Sequence, residues 1–251
     1  MNLTHTLTIG TVAIKFHCPS LYWAELITKE YGPYLRQARS SVQVHIEEMA
    51  GNTDAKELAV VRKKEEWKIS REDFLSSTSA DFKDTALAIQ RNKYSLNSWL
   101  RVFMTMHGLK GSGLLVHGAG FSAKSGIYLF PGVSGSGKST LIRKLGKKNA
   151  LSDELVYLSA AKGAVTGAST PFWGELRRGS GTTFRGPVRG IFFLRHGPEI
   201  ALHKKNTSDA LQHLLKTVLF FSGDKRSLDT LLALSARGVK SVPAYDLEFS
   251  L

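Results

Sequence analysis

Cysteine is nearly missing from this sequence: Cys18 is the only one in 251 residues. A lone thiol excludes an internal disulfide and any zinc site built from several cysteines. Long apolar runs are missing too. No stretch reaches the roughly 20 residues that a helix needs to cross a bilayer, and the opening MNLTHTLTIG lacks a basic stretch followed by an apolar one. A soluble, cytoplasmic protein with no membrane partner is the expectation. Acidic residues are scarce, 21 against 34 lysines and arginines, which leaves a formal net charge of +13. Nucleic-acid binding would gather that charge on one helix or patch with aromatics interleaved. Here the basic residues come in small scattered groups, such as Arg62 to Lys64, Arg143 with Lys144, Arg177 with Arg178 and Lys204 with Lys205. No nucleic-acid partner is expected, although a basic surface can steer an acidic partner or a polyphosphate.

What the sequence does have is concentrated in residues 127–145, IYLFPGVSGSGKSTLIRKL. Ile127, Tyr128, Leu129 and Phe130 form a short apolar run of the kind a buried strand uses. Gly132, Val133, Ser134, Gly135, Ser136, Gly137, Lys138 and Ser139 then fit GxxxxGK(S/T), Thr140 follows, and Leu141, Ile142 and Leu145 begin a helical period. Glycines let successive backbone N–H groups approach phosphate oxygens without a Cβ in the way, and a helix N-terminus adds positive potential. The ammonium of Lys138 is expected to reach the β- and γ-phosphates of ATP, and the hydroxyl of Ser139 to hold Mg²⁺. A structural glycine turn that happens to precede a lysine is the alternative.

Acidic residues near such a loop carry the next expectation. Residues 150–158 read ALSDELVYL, where Asp153 and Glu154 interrupt a strand-like run. Strands disfavour adjacent acids unless these end a strand at a site. An acid there can hold Mg²⁺ or accept a proton from an attacking hydroxyl; a solvated turn between two short strands is the other reading. Residues 167–178, GASTPFWGELRR, add Glu175, two aromatics (Phe172 and Trp173) suited to cover a nucleotide or fill a core, and the start of an arginine series: Arg177, Arg178, Arg185 and Arg189. Arginines on a glycine-rich stretch near phosphate can stabilise transferred charge.

The chain reads as two parts. Residues 1–93 form a small α/β unit suited to recognition or scaffolding: a strand over 7–16, a helix over 21–36 with Ser20 at its N-cap, a half-buried strand at 42–46, a strand or strand pair over 59–69 and a short strand at 85–89. Residues 94–251 form the second unit. It opens with a helix over 94–107, capped by Ser95, expected to pack on the nucleotide-binding part. A hairpin of 114–117 and 127–130 follows, then a second hairpin of 188–194 and 200–202, helices over 208–220 and 226–236, and a closing strand over 242–249.

Several of these features together resemble the catalytic domain of HPr kinase/phosphorylase, within the wider HPr kinase and phosphoenolpyruvate carboxykinase superfamily. They are LLVHGAG with His117 shortly before the loop, the mid-chain position of the loop itself, SDELV where the family has paired aspartates, PVRGIFFL, and a TPFWGE stretch. The resemblance covers about residues 114–202. It implies an α/β fold with a mixed sheet in a phosphate-loop domain of the HPr kinase C-terminal type, and oligomeric relatives, so a homo-oligomer is the prior. It implies Asp153 as general base, Glu154 in the second acidic position, His117 near the site, and Ser139 with Glu175 (Asp153 alongside) holding Mg²⁺. The expected activity is ATP-dependent transfer to a hydroxyl, first a serine of a protein or peptide. A small-metabolite kinase, an ATPase and a nucleotide-binding module are the alternatives. The glycine-rich signature of the family is not recognisable around 174–181, Glu154 stands where the family has aspartate, and residues 1–93 resemble no part of that enzyme.

Overall fold

The structure is a computed structural model that describes residues 3–111, 113–160, 164–176 and 182–250. The chain divides into two compact units, Met1–His107 and Gly108–Leu251. Each is mixed α/β, with a mixed sheet of its own. Among the described residues, no helix is long and apolar enough to cross a membrane.

The first unit runs β1 (Leu3–Ile9), β2 (Val12–Cys18), α1 (Leu21–Tyr31), β3 (Val42–Glu48), β4 (Ala59–Lys63), β5 (Glu66–Arg71), β6 (Phe74–Ser79), β7 (Asp84–Ile89) and α2 (Lys93–Gly108). Its strands lie in the order β1-β2-β3-β7-β6-β5-β4, parallel at β2-β3 and β3-β7 and antiparallel elsewhere. The period-2 pattern of β3 buries Val42, Val44 and Ile46 and leaves Gln43, His45 and Glu47 towards solvent. The single strand expected over 7–16 is a hairpin, because Gly10 takes φ +61° and reverses the chain between β1 and β2. Helix α1 stops short of residue 36, where Gly32 and Pro33 tighten the chain into a 3-10 turn. Ser20 stands at its N-cap without bonding the helix; its hydroxyl donates to Glu48 instead.

Helix α2 corrects the expected boundary. Trp99 is fully buried and donates through Nε1 to Ser76 Oγ at 3.0 Å. The rings of Trp99 and Phe103 meet those of Phe16 and Phe82. All these partners belong to the first unit, so the division falls after His107 and not after residue 93. Asn92, whose side chain accepts from the N–H of Tyr94, caps this helix; Ser95 is buried inside it.

The second unit runs β8 (Leu114–Ala123), β9 (Gly126–Pro131), α3 (Lys138–Leu145), β10 (Ala150–Ser152), β11 (Leu155–Ser159), β12 (Thr166–Ala168), β13 (Arg185–His196), β14 (Ala201–Lys204), α4 (Thr207–Leu215), α5 (Lys225–Ser241) and β15 (Ala244–Phe249). Strand β9 sits between β8, antiparallel, and β13, parallel, and β13 continues parallel to β15. The first half of β8 pairs with β11, which connects through β12 to the start of β13. The expected hairpin of β13 with β14 does not exist, because β15 inserts between them. Helix α4 ends at Leu215 and not at residue 220, since Thr217 and Leu219 turn aside to hydrogen-bond the backbone of His117 and Leu115.

Helix α3 lies on one sheet face through Leu141 and Ile142, which join Ala119, Phe130, Ala150, Leu176 and Phe249 in a buried cluster. That packing fixes a helix start directly beyond the C-terminal end of β9. Such a place, outside the carboxyl ends of parallel strands, is where open α/β sheets bind ligands.

Candidate functional site

The turn between β9 and α3 carries glycine where another residue would be strained or crowded. Gly135 and Gly137 take φ of +81° and +89°, the left-handed region that costs an L-residue its Cβ clearance. At Gly132 a Cβ would stand 2.5 Å from Ser136 Oγ. Its N–H donates to the carbonyl of His117 on β8, which ties the start of the turn to the sheet. Gly137 caps α3. The N–H groups of Lys138, Ser139 and Thr140 then open the helix, and such groups have no acceptor within it.

Lys138 turns back into this loop. Its Nζ donates to the carbonyl of Val133 at 2.6 Å, with Ser136 Oγ at 3.5 Å, and the residue is 6% exposed. Burial pushes its pKa below the usual lysine value, while the nearby charges of Asp153, Glu175 and Glu154 pull the other way. The buried ammonium is thus held by neutral oxygens of the turn itself.

Asp153 lies in the turn between β10 and β11, yet it is only 3% exposed. Segment 170–176 wraps it. Gly174 N–H donates to Oδ1 at 2.9 Å, Leu176 N–H donates to Oδ2 at 3.0 Å, and Ser139 Oγ donates to Oδ2 at 3.1 Å. A buried carboxylate needs such donors to be tolerated. One consequence is that the loop lysine, the helix-start serine and this acid are fixed relative to one another.

These groups face one cavity of about 460 Å³, lined by His117, Ser134, Gly135, Gly137, Lys138, Ser139, Thr140, Asp153, Glu154, Gly174 and Glu175. Gly132, Val133 and Ser136 lie in the frame of the turn and are not on the cavity wall. Glu175 is on the wall, but its Oε2 pairs with Arg143 at 3.1 Å and its side chain faces solvent. Among the described residues no three His, Cys, Asp or Glu side chains are close enough to hold a metal ion. Of the expected metal trio, Ser139 and Asp153 are joined by a hydrogen bond, and Glu175 lines the same cavity while paired with Arg143. Phe172 is fully buried and Trp173 packs on the cluster under α3, so both serve the core. Arg177 and Arg178 lie outside the described residues. Arg185 and Arg189 lie on β13 away from the cavity wall, with Arg189 donating to the carbonyl of Ser125.

Two hydroxyls that build the site were not picked out from the sequence. Ser152, fully buried, accepts from the N–H groups of Glu154 and Leu155 at 3.0 and 3.2 Å and donates to the carbonyl of Phe172. Thr170 donates to the carbonyl of Leu155. Together they lock the acid turn to the segment that wraps it. A serine just before a buried acid is the local signal, because short hydroxyl side chains fold back on the backbone in turns. Ser152→Ala removes the hydroxyl that accepts from two N–H groups and donates to a buried carbonyl, and is expected to cost about 1–3 kcal/mol. Urea unfolding would measure it, and the amides of Gly174 and Leu176 should exchange with deuterium faster than in the wild type. Unchanged exchange there would show that segment 170–176 is held without Ser152.

No protein-family model matches this sequence, and no curated protein matches it either.

Proposed function

We propose that the second unit is an ATP-dependent phosphotransferase of the HPr kinase-like type, acting on a hydroxyl, most readily a serine of a protein or peptide. The observation that carries this reading is the hydrogen bond from Ser139 to Asp153 beside the buried Lys138, all on one cavity wall. A glycine turn with two left-handed residues and a helix start fit a chain of phosphates. Ser139 and Asp153 fit one side of a Mg²⁺ ion, which when bound would neutralise phosphate oxygens.

In this reading Lys138 leaves the carbonyl of Val133 for the β- and γ-phosphates and holds them against the opening turn of α3. Asp153 takes the proton from the acceptor hydroxyl at Oδ1, the oxygen that receives a single hydrogen bond among the described residues. The acceptor oxygen attacks the γ-phosphorus as the bond to the ADP oxygen breaks, so ADP leaves with the electron pair. Backbone donors from Gly174 and Leu176 keep the carboxylate oriented, which is where positioning contributes to rate. Glu154 and His117 line the same cavity and would contact the acceptor.

The test is a transfer assay with γ-labelled ATP and Mg²⁺, using desalted and undesalted extracts of the source organism. Label is expected in a polypeptide with wild-type protein and not with Asp153→Asn. Label confined to a small molecule and lost on desalting would move the assignment to a metabolite kinase. Free phosphate alone would contradict transfer and leave an ATPase.

A further inference from the structure

We infer that the first unit carries a separate binding site for a small molecule bearing two or more phosphate groups. The site is a cleft of about 780 Å³ on the β1–β2 hairpin, lined by Thr4, His5, Thr6, Lys15 and segment 35–40. Its volume falls within the few-hundred to one-thousand Å³ range of small-molecule sites.

The cleft exists because residues 36–40 arch over the hairpin. One foot of the arch is the bridge of Leu35 to Leu7, with the N–H of Arg36 donating to the carbonyl of Thr6 at 2.9 Å. The other is Ser41, whose N–H donates to the carbonyl of Ala13 at 2.9 Å and whose hydroxyl also bonds the Ala13 backbone. Between these feet the chain has no regular secondary structure.

Its chemistry is one-sided. Lys15, Arg36, Arg39 and His5 line it, and no Asp or Glu does. Neither Lys15 nor Arg39 forms an ion pair among the described residues. Hydroxyls complete the set. Ser40 Oγ accepts from Gln43 at 2.7 Å, which leaves its own proton to donate, and Thr4 and Thr6 lie on the hairpin. Cations lining a concave surface that no acid lines raise the local concentration of anions. A guanidinium adds a planar pair of donors that matches phosphate. Scattered surface lysines would not produce this, because they would be neither confined to a cleft nor free of acids.

The probe is inorganic tripolyphosphate, titrated calorimetrically into the full-length chain carrying Lys138→Met, which removes the loop lysine of the second unit from consideration. One molecule is expected to bind per chain, with a dissociation constant that rises with salt. Adding Lys15→Met and Arg39→Ala should raise that constant tenfold or more. Both positions are half-buried or exposed, so the fold should survive. Orthophosphate should bind more weakly than tripolyphosphate. No binding at millimolar tripolyphosphate, or binding that these two substitutions leave unchanged, would overturn the inference. So would citrate binding equally well, since that would make the site a general anion trap, or affinity that grows with oligonucleotide length, since that would make it a nucleic-acid surface.

Discussion

Asp153→Asn is expected to lower phosphoryl transfer by about 10²–10⁴-fold, the usual worth of a positioned general base. It should also weaken the fold near the site. The carboxylate accepts from two backbone N–H groups and one hydroxyl. An asparagine can present its oxygen to only one side. If it faces Leu176 N–H and Ser139, its NH₂ meets the N–H of Gly174, and one buried donor loses its acceptor at a cost of about 1–3 kcal/mol. The isosteric amide is thus a structural perturbation as well as a chemical one, and the assay must be read beside urea unfolding. A folded variant that transfers label at the wild-type rate would remove Asp153 from the chemistry. Glu154→Gln is the control. It lines the same cavity one residue on, and if it loses as much transfer with no loss of stability, the proton acceptor is Glu154.

Residues 127–145 could be read in advance because their three signals are local: a buried strand, glycines at fixed offsets and a helical period. The same is true of β3, where alternation alone carries the burial pattern. The failures share a cause of the opposite kind. Strand β6 went unread since its inner face holds Ser76 and Thr78, polar residues made tolerable by Trp99 and Thr85 from elsewhere in the chain. The β13–β14 hairpin failed since a strand from the C-terminus takes the place between them. The β1–β2 hairpin is the exception, a local one: Gly10 within the run 7–16 is the residue that reverses the chain. At the site, the pair Asp153 and Glu154 was found by its oddity in a strand, and the solvated-turn alternative was half right: it is a turn, but Asp153 in it is buried. What makes it so, the wrap of segment 170–176 fastened by Ser152 and Thr170, needs two distant segments to meet. No spacing within either one announces that.

Lys138→Met separates a lysine that serves a ligand from one that serves the fold. In the ligand-binding reading, the side chain gives up one hydrogen bond to Val133 and gains charge-assisted bonds to phosphate, each worth about 1.5–3 kcal/mol. Losing them should weaken ATP binding by roughly 10–100-fold at about 1.4 kcal/mol per decade. At ATP 100 times above the wild-type dissociation constant, ligand stabilisation of about 2.7 kcal/mol should fall to about 0.4 kcal/mol for a 100-fold loss. Without ATP the variant should be no less stable at neutral pH, because methionine keeps the apolar stem and removes a buried charge. The pH dependence gives an independent sign. Burial holds the Lys138 pKa below its usual 10.5 in the folded protein. Between the two values the unfolded chain binds more protons, so the wild type should gain stability relative to the variant as pH rises through that window. Thermal and urea unfolding of both proteins, with and without ATP, from pH 7 to pH 10.5 would measure each of these differences. A lysine that only braced the turn would behave in reverse: the ligand-free variant would be clearly destabilised, and ATP would still stabilise it.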